Sequence, residues 1–347
     1  VGALGHLLVQ VPFVFRSSYR FRVLWRFDWR LIGSVLAVSI PRALTLSANQ
    51  IVLLVLIALA SVMTVGSVSV FQFAFNLQSV PLAIIGMSYS VAAFPSLSRL
   101  AAEGAWERFN AQLLVALRHI VFWSVPIIAL VVVLRAQIVR VLLGSGLFDW
   151  SDTRLTAAVL AIFILGLVAQ AALLLLIRAF YASGRVRTPL LIACISTLVS
   201  LVLAAVFSAW YQSSVALQAV LATALRLDAV VGAEVVMLAL AFVCGVVLQM
   251  GLMVVATKLV FRPSFRGLAR LTLHSVLAAL FAGTVAYLTL QFVVDGVNQQ
   301  TFVGIALQGL VAGKWYAHLC GPTLNYLMHL RRGLRGPLQT CTYLHVA

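Results

Sequence analysis

Acidic side chains are scarce in this sequence: 8 Asp and Glu stand among 347 residues, against 24 Lys and Arg. Charged residues of either sign reach only 9%, where a soluble domain carries roughly 25%. Hydrophobic residues make up 63%, and mean hydropathy is +1.10. So little polar surface cannot cover a soluble globule, so a soluble fold is excluded. The short apolar–polar alternation of a membrane β-barrel is lacking too; the apolar blocks run for about 20 residues, the length of a bilayer-spanning helix. Cysteine is sparse. Cys194, Cys244, Cys320 and Cys341 form no CxxC and no Cys/His spacing, so neither a metal site nor a disulfide frame is supported. There is no GxxxxGKS or GxxxxGKT, no HExxH, no GxSxG and no carboxylate pair within one apolar block. No catalytic residue, no cofactor and no metal is therefore expected. Without an ATP site, any transport is secondary or driven by the substrate gradient.

What is present is a series of apolar blocks separated by arginines. Spans are predicted at 1–15 (partial), 32–62, 68–96, 113–134, 155–181, 189–209, 230–260, 272–294 and 300–319, the last the weakest. The fold class is all-α: a polytopic membrane helix bundle with about eight full spans after a partial first one. The net charge of +16 would point to nucleic acid in a soluble protein, but here it reads as basic loops held on the cytoplasmic side, with no nucleic-acid partner. Arg16, Arg20, Arg22, Arg26 and Arg30 fill the first such loop, and Lys258, Arg262, Arg266 and Arg270 a later one. Loops poorer in arginine alternate with them, so the span at 32–62 runs outward and 68–96 returns. The chain divides into 1–31 (end of a span and basic loop), 32–210 (bundle core) and 211–347 (remaining helices and a C-terminal pair). The opening VGALGHLLVQVPFVF reads as the tail of a helix that starts upstream, which makes this a C-terminal portion of a longer protein. The closing TCTYLHVA is atypical of a membrane-protein tail and leaves open whether the last residues are genuine.

Three stretches have organisation beyond hydropathy. Residues 99–119 place Trp106, Phe109 and Leu113 on one helical face, as an interfacial helix leading into the next span would. Residues 145–154, SGLFDWSDTR, read as an outer loop. The third, FNLQSVPLAIIGMSYSVAAFPSLS at 75–98, holds Asn76, Gln78 and Ser79 about one turn ahead of Pro81, with Gly86 and Pro95 beyond. A helix proline removes a hydrogen bond and clashes with the preceding turn, which costs about 3 kcal/mol or more. In lipid the freed carbonyl is tolerated only where protein or water satisfies it, so a cavity-lining segment is one reading and interhelical hydrogen bonding the other. Gln170 and Gln249 read as packing contacts.

Arg42 is the sharpest single feature. It follows Pro41 in an apolar run, with Asn49 and Gln50 further on. An arginine at membrane depth costs at least about 2.5–3.5 kcal/mol and faces a cavity or a partner, unless it snorkels to the headgroups. No acidic residue lies in a neighbouring span to neutralise it. An anionic ligand is then the natural counterpart, since guanidinium matches phosphate in bidentate geometry.

The run from SIPRALTLSANQ through NLQSVPLAIIGMSYSVAAFPSLSRL, the later RAFYASGRVRTPL and the opening GALGHLLVQVPFVFRSSYRFR together resemble the MurJ/MviN lipid II flippases, of the multidrug/oligosaccharidyl-lipid/polysaccharide exporter superfamily. The likeness covers residues 1–210 and fades beyond. It implies the second lobe of a two-lobed flippase fold in the bacterial cytoplasmic (inner) membrane, whose partners are the bilayer, a missing N-terminal bundle of the same protein and an undecaprenyl-pyrophosphate-linked precursor. It implies alternating-access flipping of lipid II for peptidoglycan biosynthesis, and no enzymatic activity. Substrate contacts would be Arg42, Asn49, Asn76, Gln78 and Ser79, with Pro41, Pro81 and Gly86 as helix hinges. Relatives often carry a further arginine where this chain has Asn76. A polysaccharide-repeat flippase, a drug/cation antiporter of the same superfamily, and a non-transporting scaffold stand as alternatives.

Overall fold

The computed structural model describes residues 29–144, 148–225, 227, 230–294, 308–314 and 316, together with Gly5, Leu8, Val11 and Pro12. Among the described residues the secondary structure is helical, with no strand. Six helices are long and apolar enough to cross a membrane, or seven if one bent pair counts as a span. They coincide with the seven spans predicted between residues 32 and 294. Most of the predicted spans 1–15 and 300–319 lies outside the described residues, although 308–314 are helical. Contacts group residues 1–42 into one compact unit and 43–347 into another.

Helix α1 (Trp29–Ser61) begins in the first unit and ends in the second. A turn closed by Gly66, whose φ of 95° suits a residue without Cβ, leads into α2 (Ser67–Leu82). After Pro81 the backbone does not stop. It widens into a π turn, π1 (Ala83–Met87), and resumes as α3 (Ser88–Ala102). Proline offers no N–H and crowds the preceding turn, and a π turn absorbs the misfit while keeping the chain helical. Pro95 lies inside α3 and does not end it; seven residues follow it in the helix.

Helix α4 (Trp106–Leu143) joins the amphipathic segment to the span it was expected to lead into. Phe109 and Leu113 are wholly buried, the Phe109 ring centroid lies 5.1 Å from that of Phe261, and the Asn110 amide donates to the Phe261 carbonyl at 2.6 Å. The apolar face at 106–113 thus packs on protein rather than on headgroups, and the helix runs straight on into the span. Asp149 and Asp152 form a capping box at the start of α5 (Trp150–Leu165). Helix α6 (Leu167–Ala182) follows after Gly166 with a bend of 43°, so the span predicted at 155–181 is a bent pair. Beyond it come α7 (Arg187–Ser213), α8 (Val215–Leu225), α9 (Val235–Phe261) and α10 (Arg266–Val294).

The second unit has two principal apolar cores. One joins Leu56 of α1, Phe71 of α2, Phe163 of α5 and Leu238 of α9. The other joins Leu97 of α3, Leu113 of α4, Phe180 of α6 and Phe261 of α9. Near the first core, the Thr64 N–H and hydroxyl both donate to the Glu234 carboxylate at 2.9 Å, which ties the α1–α2 turn to the start of α9.

Candidate functional site

The 67–102 helix has three differently occupied faces. Phe71 and Phe75 pin its inner face. Their rings meet Phe163 edge-on at 5.1 and 5.7 Å, and Phe75 also meets Phe242 at 5.8 Å. Such edge-to-face pairs add about 0.5–1.5 kcal/mol each beyond their area burial, so the rotation of α2 about its axis is well fixed. With the phenylalanines inward, Gln72 and Asn76 are exposed and Ser79 is half-exposed. These positions step by four and three residues, so they form one stripe along the helix. A second exposed stripe, Phe73, Val80, Ile84 and Val91, is wholly apolar. One helix therefore carries a polar exposed face and an apolar exposed face side by side.

Gln78 is a correction. It is wholly buried, and its amide exchanges two hydrogen bonds with Gln170: Gln78 Nε2 donates to Gln170 Oε1 at 3.3 Å, and Gln170 Nε2 returns to Gln78 Oε1 at 3.1 Å. The pair crosses from α2 to α6 and satisfies two amides that would be costly alone in an apolar interior. Its direction is set by the same helix rotation that turns Asn76 outward. Ser79 is also partly committed, since its hydroxyl donates to the Asn76 carbonyl at 2.6 Å.

Within the π turn lies the second tie to α6. A Cβ placed on Gly86 would stand 2.9 Å from Ala171 Cα and 3.0 Å from Ala171 Cβ. The glycine permits backbone contact between π1 and α6, a role that the sequence does not reveal. Gly166, at the α5–α6 bend, sits against the Gln170 amide and Val243, where an added Cβ would come within 3.2 Å of Gln170 Nε2. Gln78, Gly86, Gly166, Gln170 and Ala171 thus make a joint between two irregular helices. Sequence reasoning placed Gln78 and Gly86 elsewhere in the scheme and passed over Gly166; lone polar and glycine positions at one depth of two apolar blocks were the available signal.

Two expected residues lie on α1. Pro41 sits inside the helix without interrupting it, and Arg42 is partly buried. Asn49 is exposed at the margin of the face on which Thr45, Ala48 and Val52 are buried. That buried face is tied to α7 by the Thr197 hydroxyl, which donates to the Ala48 carbonyl at 3.3 Å. Among the described residues no group of His, Cys, Asp and Glu could hold a metal ion.

Apolar spans interrupted by a π turn and a glycine bend, with polar side chains on one exposed face, define a polytopic helical membrane protein. The family model for the lipid II flippase MurJ matches residues 1–307, and the chain belongs to that family. It is a multi-pass protein of the bacterial inner membrane. A probable lipid II flippase MurJ of Buchnera aphidicola subsp. Acyrthosiphon pisum (strain APS) is 31% identical over 192 residues, which is 55% of this chain and 37% of that protein. One of Thermotoga maritima is 29% identical over 54% of this chain and 37% of that protein. The matched part is thus well under half the length of these curated relatives. A solved lipid II flippase MurJ in an inward closed conformation shares the fold, at a TM-score of 0.65 and 20% identity, over 94% of this chain and 61% of that one.

Proposed function

We propose that this chain forms the C-terminal lobe of a flippase that carries lipid II, an undecaprenyl-pyrophosphate-linked peptidoglycan precursor, across the inner membrane by alternating access. The observation that carries the reading is the split surface of the 67–102 helix. Its Gln72–Asn76–Ser79 stripe is polar, its neighbouring exposed stripe is apolar, and its third face is fixed by Phe71, Phe75 and Gln78. A carrier of a polyprenyl-linked sugar needs a polar surface for the head group and an apolar one for the tail. Arg42 supplies the fixed positive charge for the pyrophosphate. Asn49 and Asn76 supply neutral amides for the remainder of the head group, and Ser79 offers its hydroxyl oxygen as an acceptor. Gln78 holds the helix instead of meeting substrate. Pro81 and Gly86 mark where the 67–102 helix departs from regular geometry, and alternation between two arrangements would draw on that point and on Pro41.

The test is complementation of a bacterium depleted of its lipid II flippase, by the complete protein that contains this chain. A charge-assisted hydrogen bond is worth about 1.5–3 kcal/mol, so Arg42→Ala should weaken substrate capture by roughly 10- to 100-fold and fail to restore growth at normal expression. Arg42→Lys, which keeps the charge without the fork, should restore growth in part. Full growth with Arg42→Ala would remove the residue from the mechanism.

A further inference from the structure

Helix α8 (Val215–Leu225) fits neither the spans nor the loops. It has 11 residues, about 16 Å of helix, too short to cross a bilayer. Its sequence VALQAVLATAL carries no charge. A helix this apolar, with Gln218 and Thr223 its only polar side chains, normally lies inside a protein. Not one residue of α8 is fully buried. Leu217, Leu221 and Leu225, one turn apart, rest against the core below. Val215 and Val220 on the other side are 78% and 63% exposed.

Both of its polar side chains bond back to the protein backbone. The Gln218 amide donates to the Tyr211 carbonyl at 2.8 Å, and the Thr223 hydroxyl donates to the Ala219 carbonyl. At the helix start the Leu217 N–H donates to the Ser214 hydroxyl at 3.3 Å, and the Gln218 N–H to the Ser214 carbonyl. Internal satisfaction of polar groups is the requirement that hydrocarbon imposes and water does not.

Position names the occupant. Helix α7 starts at Arg187 and its 27 residues span about 40 Å, so α8 begins near the opposite, arginine-poor interface. One side of α7 is buried at Ser196, Ser200 and Ala204, with Ser200 pressed on Gly245 of α9. Its other side exposes Leu191, Ile195, Leu198, Val202 and Val206, and ends in Trp210. Trp is the residue that marks a membrane interface. Helix α8, with its exposed valines, follows in the chain five residues beyond Trp210.

We propose that α8 lies along the outer-leaflet boundary, with its leucines on the protein and Val215, Ala216, Ala219 and Val220 among the upper acyl chains of the lipid. It is a docking surface for bilayer lipid, and it does not depend on which precursor the protein moves. The test uses the full chain, its four native cysteines replaced by alanine, in phosphatidylethanolamine–phosphatidylglycerol vesicles. Single cysteines at Val215, Val220 and Leu217 carry a nitroxide, with Leu198 as the lipid-facing reference and exposed Gln212 as the water-facing one. EPR saturation reads accessibility to oxygen and to a neutral nickel chelate. The oxygen-to-nickel ratio at Val220 should fall within about twofold of Leu198 and roughly fivefold or more above Gln212, with Leu217 shielded from both probes. Nickel access at Val215 and Val220 equal to Gln212 overturns the proposal in favour of a water-facing helix. Shielding of both valines from both probes overturns it in favour of a covering protein surface, whether a second copy or more of a longer chain.

Discussion

Gly86 offers the clearest test of how the joint is built, because two accounts of it predict opposite signs. If the glycine softens the helix after Pro81, alanine should stiffen and stabilise it, since glycine inside a helix costs roughly 0.5–1 kcal/mol relative to alanine. The packing says otherwise. The new Cβ would meet Ala171 Cα at 2.9 Å, Ala171 Cβ at 3.0 Å and Leu82 Cδ1 at 3.1 Å. Carbon atoms in good contact stand about 3.5–4.0 Å apart, and the nearest obstacle is backbone that cannot rotate aside. Overpacking of this kind costs about 1–3 kcal/mol, so after the propensity gain Gly86→Ala should lose about 1 kcal/mol, and Gly86→Val more. Gly251 of α9 is the control, with nothing within 4 Å of its added Cβ; Gly251→Ala should gain up to ~1 kcal/mol. Reversible unfolding in mixed micelles, read by tryptophan fluorescence, should rank Gly251→Ala above wild type, then Gly86→Ala, then Gly86→Val. A Gly86→Ala protein as stable as wild type, or more so, refutes the close-contact account and restores the softening one.

Two further outcomes follow from the hydrogen bonds. Gln78→Leu and Gln170→Leu should each destabilise by about 1 kcal/mol, because each strands a buried amide, while the double variant should cost less than the sum; additive losses in the same assay would show that the two amides do not act as a pair. The Asp152 backbone N–H, and then the Ser151 hydroxyl, hold the Asp149 carboxyl below its ordinary pKa of 3.8. A depressed pKa means that its contribution is complete above the unfolded value and is lost as pH falls through the folded one. Asp149→Ala should therefore lower the melting temperature at neutral pH, with the gap from wild type closing only below pH 3.8; a gap independent of pH would remove the carboxylate's charge from the cap.

The parts of the molecule legible in the sequence are those governed by quantities that add along the chain. Hydropathy sums over about 20 residues, so the spans from 32 to 294 emerge with their order intact. Pro41 and Arg42 are visible because a proline and a charge are costly in any apolar block. What the sequence obscures depends on pairs. Gln78 and Asn76 are two residues apart and chemically alike, yet one is buried against Gln170 and the other exposed. Nothing local separates them; the rotation of α2 does, and that is set by Phe71 and Phe75 against Phe163 and Phe242 on distant helices. The amphipathic pattern at 106–113 misleads for a related reason. Periodicity reports that one face is apolar, not what covers it, and Phe261 covers it where headgroups were expected. Gly86 sharpens the point. A glycine near a proline invites a reading from backbone freedom, whereas its place in the fold follows from Ala171, 85 residues away, coming close enough to exclude a single methyl group. The exposed polar stripe therefore owes its direction to buried residues outside it, and the aromatic anchors at Phe71 and Phe75 set that face as directly as Asn76 occupies it.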